Sequence, residues 1–98
     1  KDILELKGII QKALPGYRNY FDKNGVLNSD GRRLFKEIAR LLLYVFPEHK
    51  GIVKKVRKDP RLSNVIKVAE LVMSSEEISE LVGLGIYGPY RYLTHGND

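Results

Sequence analysis

The sequence predicts an all-α fold, a compact bundle of five or six short helices. Two observations carry that prediction. Apolar residues recur at three- and four-residue spacing in successive segments of the 98-residue chain, as the buried face of a helix requires. Proline, glycine and small polar residues stand at the ends of those segments, where helices start and stop.

The first segment, DILELKGIIQKA, sets Ile3, Leu6, Ile9, Ile10 and Ala13 along one side. Leu14-Pro15-Gly16 ends it, because proline disfavours the helical conformation in the residue before it. The stretch that follows, rich in turn formers and aromatics, reads as a long connection anchored by Tyr17, Tyr20 and Phe21, with room for one helical turn. Ser29 or Asp30 then caps the central helix by accepting backbone N–H bonds. Its stripe of Leu34, Phe35, Ile38, Leu41, Leu42 and Val45 marks it as the core helix, and any part of the stripe left uncovered would serve as a dimer face. Pro47 opens the next element, since proline fits the first turn of a helix. That element turns Ile52, Val53 and Val56 inward and its lysines outward, and Asp59-Pro60 closes it. A helix from Leu62 to Met73 buries Leu62, Val65, Ile66, Ala69 and Val72. Ser74 stops it and caps its successor, with Glu77 completing a capping box.

A hydrophobic fraction of 43% suffices for one core, so residues 1–98 read as a single helical domain. The first residue is Lys1, which points to trimming or excision from a longer chain. No run approaches the roughly 20 apolar residues of a membrane span, and no signal peptide is apparent. A membrane partner is therefore excluded and a cytoplasmic location is the default. The absence of cysteine removes disulfides, thiolate zinc sites and cysteine nucleophiles. A Lys-, Ile-, Val- and Glu-rich composition is compatible with a thermophilic source.

No P-loop, no G-x-S-x-G and no acid pair with split pKa values stands out, so the chain reads as non-enzymatic and without a cofactor. FDKNGVLNSDG has the flavour of a calcium loop, but counting from Asp22 puts Leu27 and Arg33 where glycine and a bidentate glutamate are required. An Asx-rich turn followed by a helix cap accounts for it better. His49 and His95 lie far apart, with no partner at ligand spacing, and suggest no metal site.

The net charge of +5 favours an anionic partner. Its densest source is HKGIVKKVRKDPR, which gathers Lys50, Lys54, Lys55, Arg57, Lys58 and Arg61 against Asp59 alone. Lys54, Lys55 and Lys58 share a face at helical spacing. They read either as a phosphate-tracking surface or as an ordinary solvated helix face.

The C-terminal third carries a second signal. Around Gly83, Ile78, Val82 and Leu84 are apolar and Ser79 is small, a pattern that suits two helices crossing steeply through a glycine turn. Tyr92 and Leu93 follow where the second helix would pack back on the core. With Leu62 to Met73 as a supporting helix, residues 62–94 resemble the helix-turn-helix of bacterial and archaeal DNA-binding regulators. The resemblance implies that Tyr90, Arg91 and Thr94 face DNA, with Tyr87 in the turn. Arg91 would then bond guanine or a phosphate, and the tyrosine hydroxyls would hold phosphates. Gly88-Pro89 departs from the pattern. Proline is tolerated at a helix start but not inside, so the second helix would begin at Pro89, leaving Gly85 to Gly88 as an enlarged turn. Alternatively, Tyr87, Tyr90 and Tyr92 are packing residues that close the core.

Two function classes follow. The first is a small DNA-binding protein of transcription, replication or segregation, engaging double-stranded DNA and acting as a dimer on paired half-sites. The second is a helical protein–protein interaction module or accessory subunit, with tyrosines as anchors and an acidic partner for the lysines. RNA binding through aromatic stacking beside Arg91 is a third option.

Overall fold

A computed structural model describes residues 2–87, with side chains through residue 83. Five α-helices carry the described chain: α1 (Asp2–Ala13), α2 (Ser29–Val45), α3 (Lys50–Lys58), α4 (Leu62–Ala69) and α5 (Ser75–Tyr87). Single 3-10 turns at Tyr17–Asn19 and Pro47–His49 join the first three. The all-α class is as the sequence predicts.

Helix α1 buries Leu6, Ile10 and, just past its end, Leu14, one residue every fourth position. Ile3, expected on that face, is 40% exposed at the free first turn. Helix α2 is the central element: Phe35, Ile38, Ala39, Leu41 and Leu42 are each no more than 5% exposed. Of the expected stripe, Phe35, Ile38, Leu41 and Leu42 are buried in the core, while Leu34 and Val45 are half-buried. The residue that caps α2 is Asn28, upstream of both expected candidates. Its Oδ1 accepts from the Gly31 N–H at 2.8 Å, while its Nδ2 donates to the Asn19 carbonyl at 3.0 Å. Asn28 wins because one amide can satisfy the helix start and the preceding loop together. Gly31 has its own reason to lack a side chain: a Cβ there would collide with the Tyr20 carbonyl and lie 2.7 Å from Leu27 Cδ2.

The loop before α2 is a compact clamp. Asp22 Oδ1 accepts from the N–H groups of Asn24 (2.9 Å) and Val26 (3.1 Å), an Asx turn completed by Gly25 at φ 76°. Its backbone then grips the α3–α4 corner. The Leu27 N–H donates to the Pro60 carbonyl and the Leu62 N–H donates to the Gly25 carbonyl, both at 2.9 Å.

Helix α4 is shorter than the Leu62–Met73 span expected, and it is rotated. Asn64, Val68 and Ala69 are its buried residues, with Met73 buried beyond its end, whereas Leu62, Val65, Ile66 and Val72 are only half-buried. The cause is the Asn64 amide, 5% exposed, whose Nδ2 donates to the Asp59 carbonyl at 2.8 Å and sets the phase of the helix. The helix ends early because the Leu71 and Val72 N–H groups bond three residues back, at 3.1 Å each, tightening the chain out of the α form. Ser74 caps α5 as expected, its Oγ accepting from the Glu77 N–H at 3.1 Å.

Candidate nucleic-acid interface

Charge is divided unevenly over this frame. Residues 30–61 carry ten Lys and Arg against four Asp and Glu, whereas residues 62–87 carry one Lys against four Glu. The positive part is α2 and α3, which meet along a shallow furrow.

On α3, Val53 and Val56 face the core at 1% and 0% exposure, and Lys50, Lys54, Lys55, Arg57 and Lys58 are all exposed. At 3.6 residues per turn, Arg57, Lys50, Lys54 and Lys58 fall within an arc of about 100°, with Arg57 at its α2-facing edge and Lys55 beyond the opposite edge. The expected sharing of one face thus holds more closely for Lys50, Lys54 and Lys58 than for Lys55. Arg61 is also exposed, but its Nε donates to Asp59 Oδ1 at 2.8 Å. A carboxylate therefore accompanies that charge already.

Arg57 connects this arc to α2. It lines two adjoining hollows of about 380 and 370 Å3, and Lys36 of α2 lines both as well. The first hollow adds Arg32 and a floor of Leu27, Phe35, Val56 and Pro60. The second adds Arg33, Glu37 and Arg40. The two ends differ electrically. Arg33 is paired with Asp30 at 2.6 Å, and Arg40 with Glu37 through two hydrogen bonds. The hydrogen bond from Arg40, aided by its charge, holds the Glu37 carboxyl below its ordinary pKa. The same bond and the Glu37 charge raise Arg40, with Glu5 and Asp2 adding to the effect. In contrast, Arg32, Lys36 and Arg57 form no ion pair among the described residues, nor do Lys50, Lys54 and Lys58. Six uncompensated cations thus occupy one continuous surface across α2 and α3.

Sequence reading passed over the α2 contribution. Arg32, Lys36 and Arg40 recur at four-residue spacing, a basic stripe visible in the sequence once the apolar stripe has been subtracted.

The C-terminal candidates are placed differently. Helix α5 runs without a break from Ser75 through Gly83 to Tyr87, so the turn expected at Gly83 does not form there. Glycine inside a helix costs only about 1 kcal/mol relative to alanine, less than a sharp exit would forfeit by uncovering Ile78, Leu81 and Val82. Among the described residues the one glycine with positive φ is Gly25. Tyr87 is thereby the last residue of a helix rather than part of a turn; Tyr90, Arg91, Thr94 and the Pro89 start of a second helix lie outside the described residues. Glu77, at the start of α5, is engaged by α1: Gln11 Nε2 donates to it at 3.0 Å and Lys7 Nζ lies 3.7 Å away.

A partly enclosed cavity at the meeting of α1, α2 and α4 has about 30 Å3 and is walled by side chains such as Ile10, Leu34, Phe35 and Val68. That is roughly one water's share of volume. No group of three or more His, Cys, Asp or Glu capable of holding a metal gathers among the described residues. His49 packs edge-on against Phe46, ring centroids 5.7 Å apart, at the α2–α3 corner. No described helix is long and apolar enough to cross a membrane. Compared with protein-family models, curated proteins and solved structures, the chain matches none.

Proposed function

We propose that this chain is a non-enzymatic DNA-binding protein or domain that engages double-stranded DNA through the basic face of α3 and its α2 flank. The observation that carries the reading is a group of six cations that form no ion pair among the described residues, gathered on one side of a chain whose other described helices are acidic or nearly neutral. A polyanion with regularly spaced charges complements such a surface, and release of its condensed counterions supplies the driving force. In this reading Lys50, Lys54 and Lys58 hold phosphates together with Arg57 and the α2 flank, Lys55 and Arg61 contribute at the margin, and Tyr87, Tyr90, Arg91 and Thr94 add contacts from the C-terminal segment.

The test is fluorescence anisotropy of a labelled mixed-sequence duplex titrated with protein from about 50 to 200 mM salt. Six phosphates neutralised would give a slope of log K against log salt near −5, at about 0.9 per phosphate. Absence of binding at the lowest salt would remove this reading. It would favour the helical interaction module, for which Tyr44 at 76% exposure is an available anchor.

A further inference from the structure

We propose that the furrow between α2 and α3 is a cradle for the sugar-phosphate backbone of one DNA strand, with Arg32, Lys36 and Arg57 as the phosphate-holding side chains. The inference rests on the DNA-binding reading and assigns it a specific seat, on residues of two helices rather than on the exposed lysines of one.

Three features support the assignment. First, the cations converge from opposite walls: Arg32 and Lys36 from one face of α2, one turn apart, and Arg57 from the facing edge of α3. A phosphate between them is approached from both sides, and a guanidinium offers paired donors in a fixed plane that matches phosphate oxygens. Second, the charges of the furrow are graded. At the Arg33–Arg40 end carboxylates already occupy the guanidinium groups, whereas at the Arg32 end no acidic side chain lines the hollow. An anion is therefore drawn to one end and finds its place there. Third, the floor at that end is Leu27, Phe35, Val56 and Pro60. This apolar surface suits the C–H edges of deoxyribose better than a ribose 2′-hydroxyl, for which the floor itself carries no side-chain partner. The hollow's 380 Å3 is about a dozen waters' share of volume, room for a sugar-phosphate unit. Arg57 also belongs to the α3 arc, so a strand seated in the furrow passes directly onto Lys50, Lys54 and Lys58.

The experiment compares three proteins on the same labelled duplex: the parent, an Arg32→Gln/Lys36→Gln/Arg57→Gln triple variant, and a Lys12→Gln/Lys23→Gln/Lys67→Gln triple variant. The two variants lose equal charge, and the second set lies outside the furrow. The furrow variant is expected to lower the magnitude of the salt slope by between 2 and 3, at about 0.9 for each phosphate no longer neutralised, and to weaken binding at least tenfold at about 100 mM salt. The control variant should change the slope by less than about 1. Circular dichroism melts of all three show whether each is folded, and Arg32→Lys/Arg57→Lys supplies a second test that keeps the charge and removes the planar fork. It should retain the slope while weakening affinity. Equal loss in the two triple variants would overturn the cradle and leave non-specific attraction by net charge. An unchanged slope in the furrow variant, with binding lost on Lys50→Gln/Lys54→Gln/Lys58→Gln, would overturn it while sparing the DNA reading. Failure of the parent to bind would overturn both. Duplex RNA binding tighter than DNA of the same sequence would overturn the role given to the floor.

Discussion

The two halves of the molecule, α2–α3 and α4–α5, handle charge in opposite ways. In α4–α5 the acids outnumber the single lysine four to one, and Glu77 is tied back to α1 through Gln11 and Lys7. In α2–α3 the cations outnumber the acids by more than two to one, and the pairs that do form, Asp30–Arg33 and Glu37–Arg40, involve neighbours on one helix. The remaining cations face solvent with like-charged company. Such crowding costs stability through self-repulsion and is tolerated where the surface meets a compensating partner. On the DNA-binding reading proposed above, the difference assigns the contact to the half with the surplus of positive charge.

Breaking that contrast directly gives the largest expected effect. Reversing Lys54, Arg57 and Lys58 to glutamate should weaken duplex DNA binding by about a hundredfold or more at 100 mM salt, whereas neutralising Glu70 and Glu76 to glutamine should alter it by less than about threefold. Similar losses from both, measured by anisotropy, would erase the distinction between the halves.

Stability offers a second contrast. Leu42, fully buried in α2, should cost about 2–5 kcal/mol when truncated to alanine. Leu81 of α5, only half-buried, should cost about half as much or less. Urea melts decide it, and equal costs would show that α5 is as deeply rooted as the central helix. Asn64→Ala comes next, at about 1–3 kcal/mol, because the Asp59 carbonyl at the α3–α4 corner loses its donor. A neutral result in the same melts would mean that water replaces the amide.

The smallest effect concerns acid. The Glu37 carboxyl is held below its unfolded pKa by Arg40. Its contribution is therefore present above the unfolded carboxyl range and disappears as the pH falls through the lower folded value. Glu37→Gln should flatten that limb slightly without moving the neutral-pH melting temperature much, because the pair stands at the solvent-exposed surface. An NMR titration placing the Glu37 carboxyl at or above the ordinary range would remove the effect altogether.

Much of the frame was legible in sequence because the signals were local. Apolar spacing located α1, α2 and α3, Pro47 opened the element after α2, and Ser74 with Glu77 announced α5. What was not legible depended on contacts between distant segments. Asn28 looked like one loop residue among several until Asn19 came within reach of its amide. The phase of α4 was set by Asn64 reaching across to Asp59, against the pull of a better apolar stripe. Gly83 looked like a turn because glycine permits one, yet permission is not a force, and the helix around it had no reason to stop. For the site, the lysine run was conspicuous. The furrow was not, since it exists only when Arg57 of α3 comes to lie opposite Arg32 and Lys36 of α2.

The clamp formed by Asp22, Gly25 and Leu27 has a consequence for how this surface can change over generations. It fastens the α3–α4 corner through main-chain groups, the Leu27 N–H on the Pro60 carbonyl and the Gly25 carbonyl on the Leu62 N–H. Those atoms are common to almost any residue, so the hold survives substitution of the side chains displayed beside it. Surface residues of α3 can therefore be exchanged without first renegotiating the architecture that presents the helix.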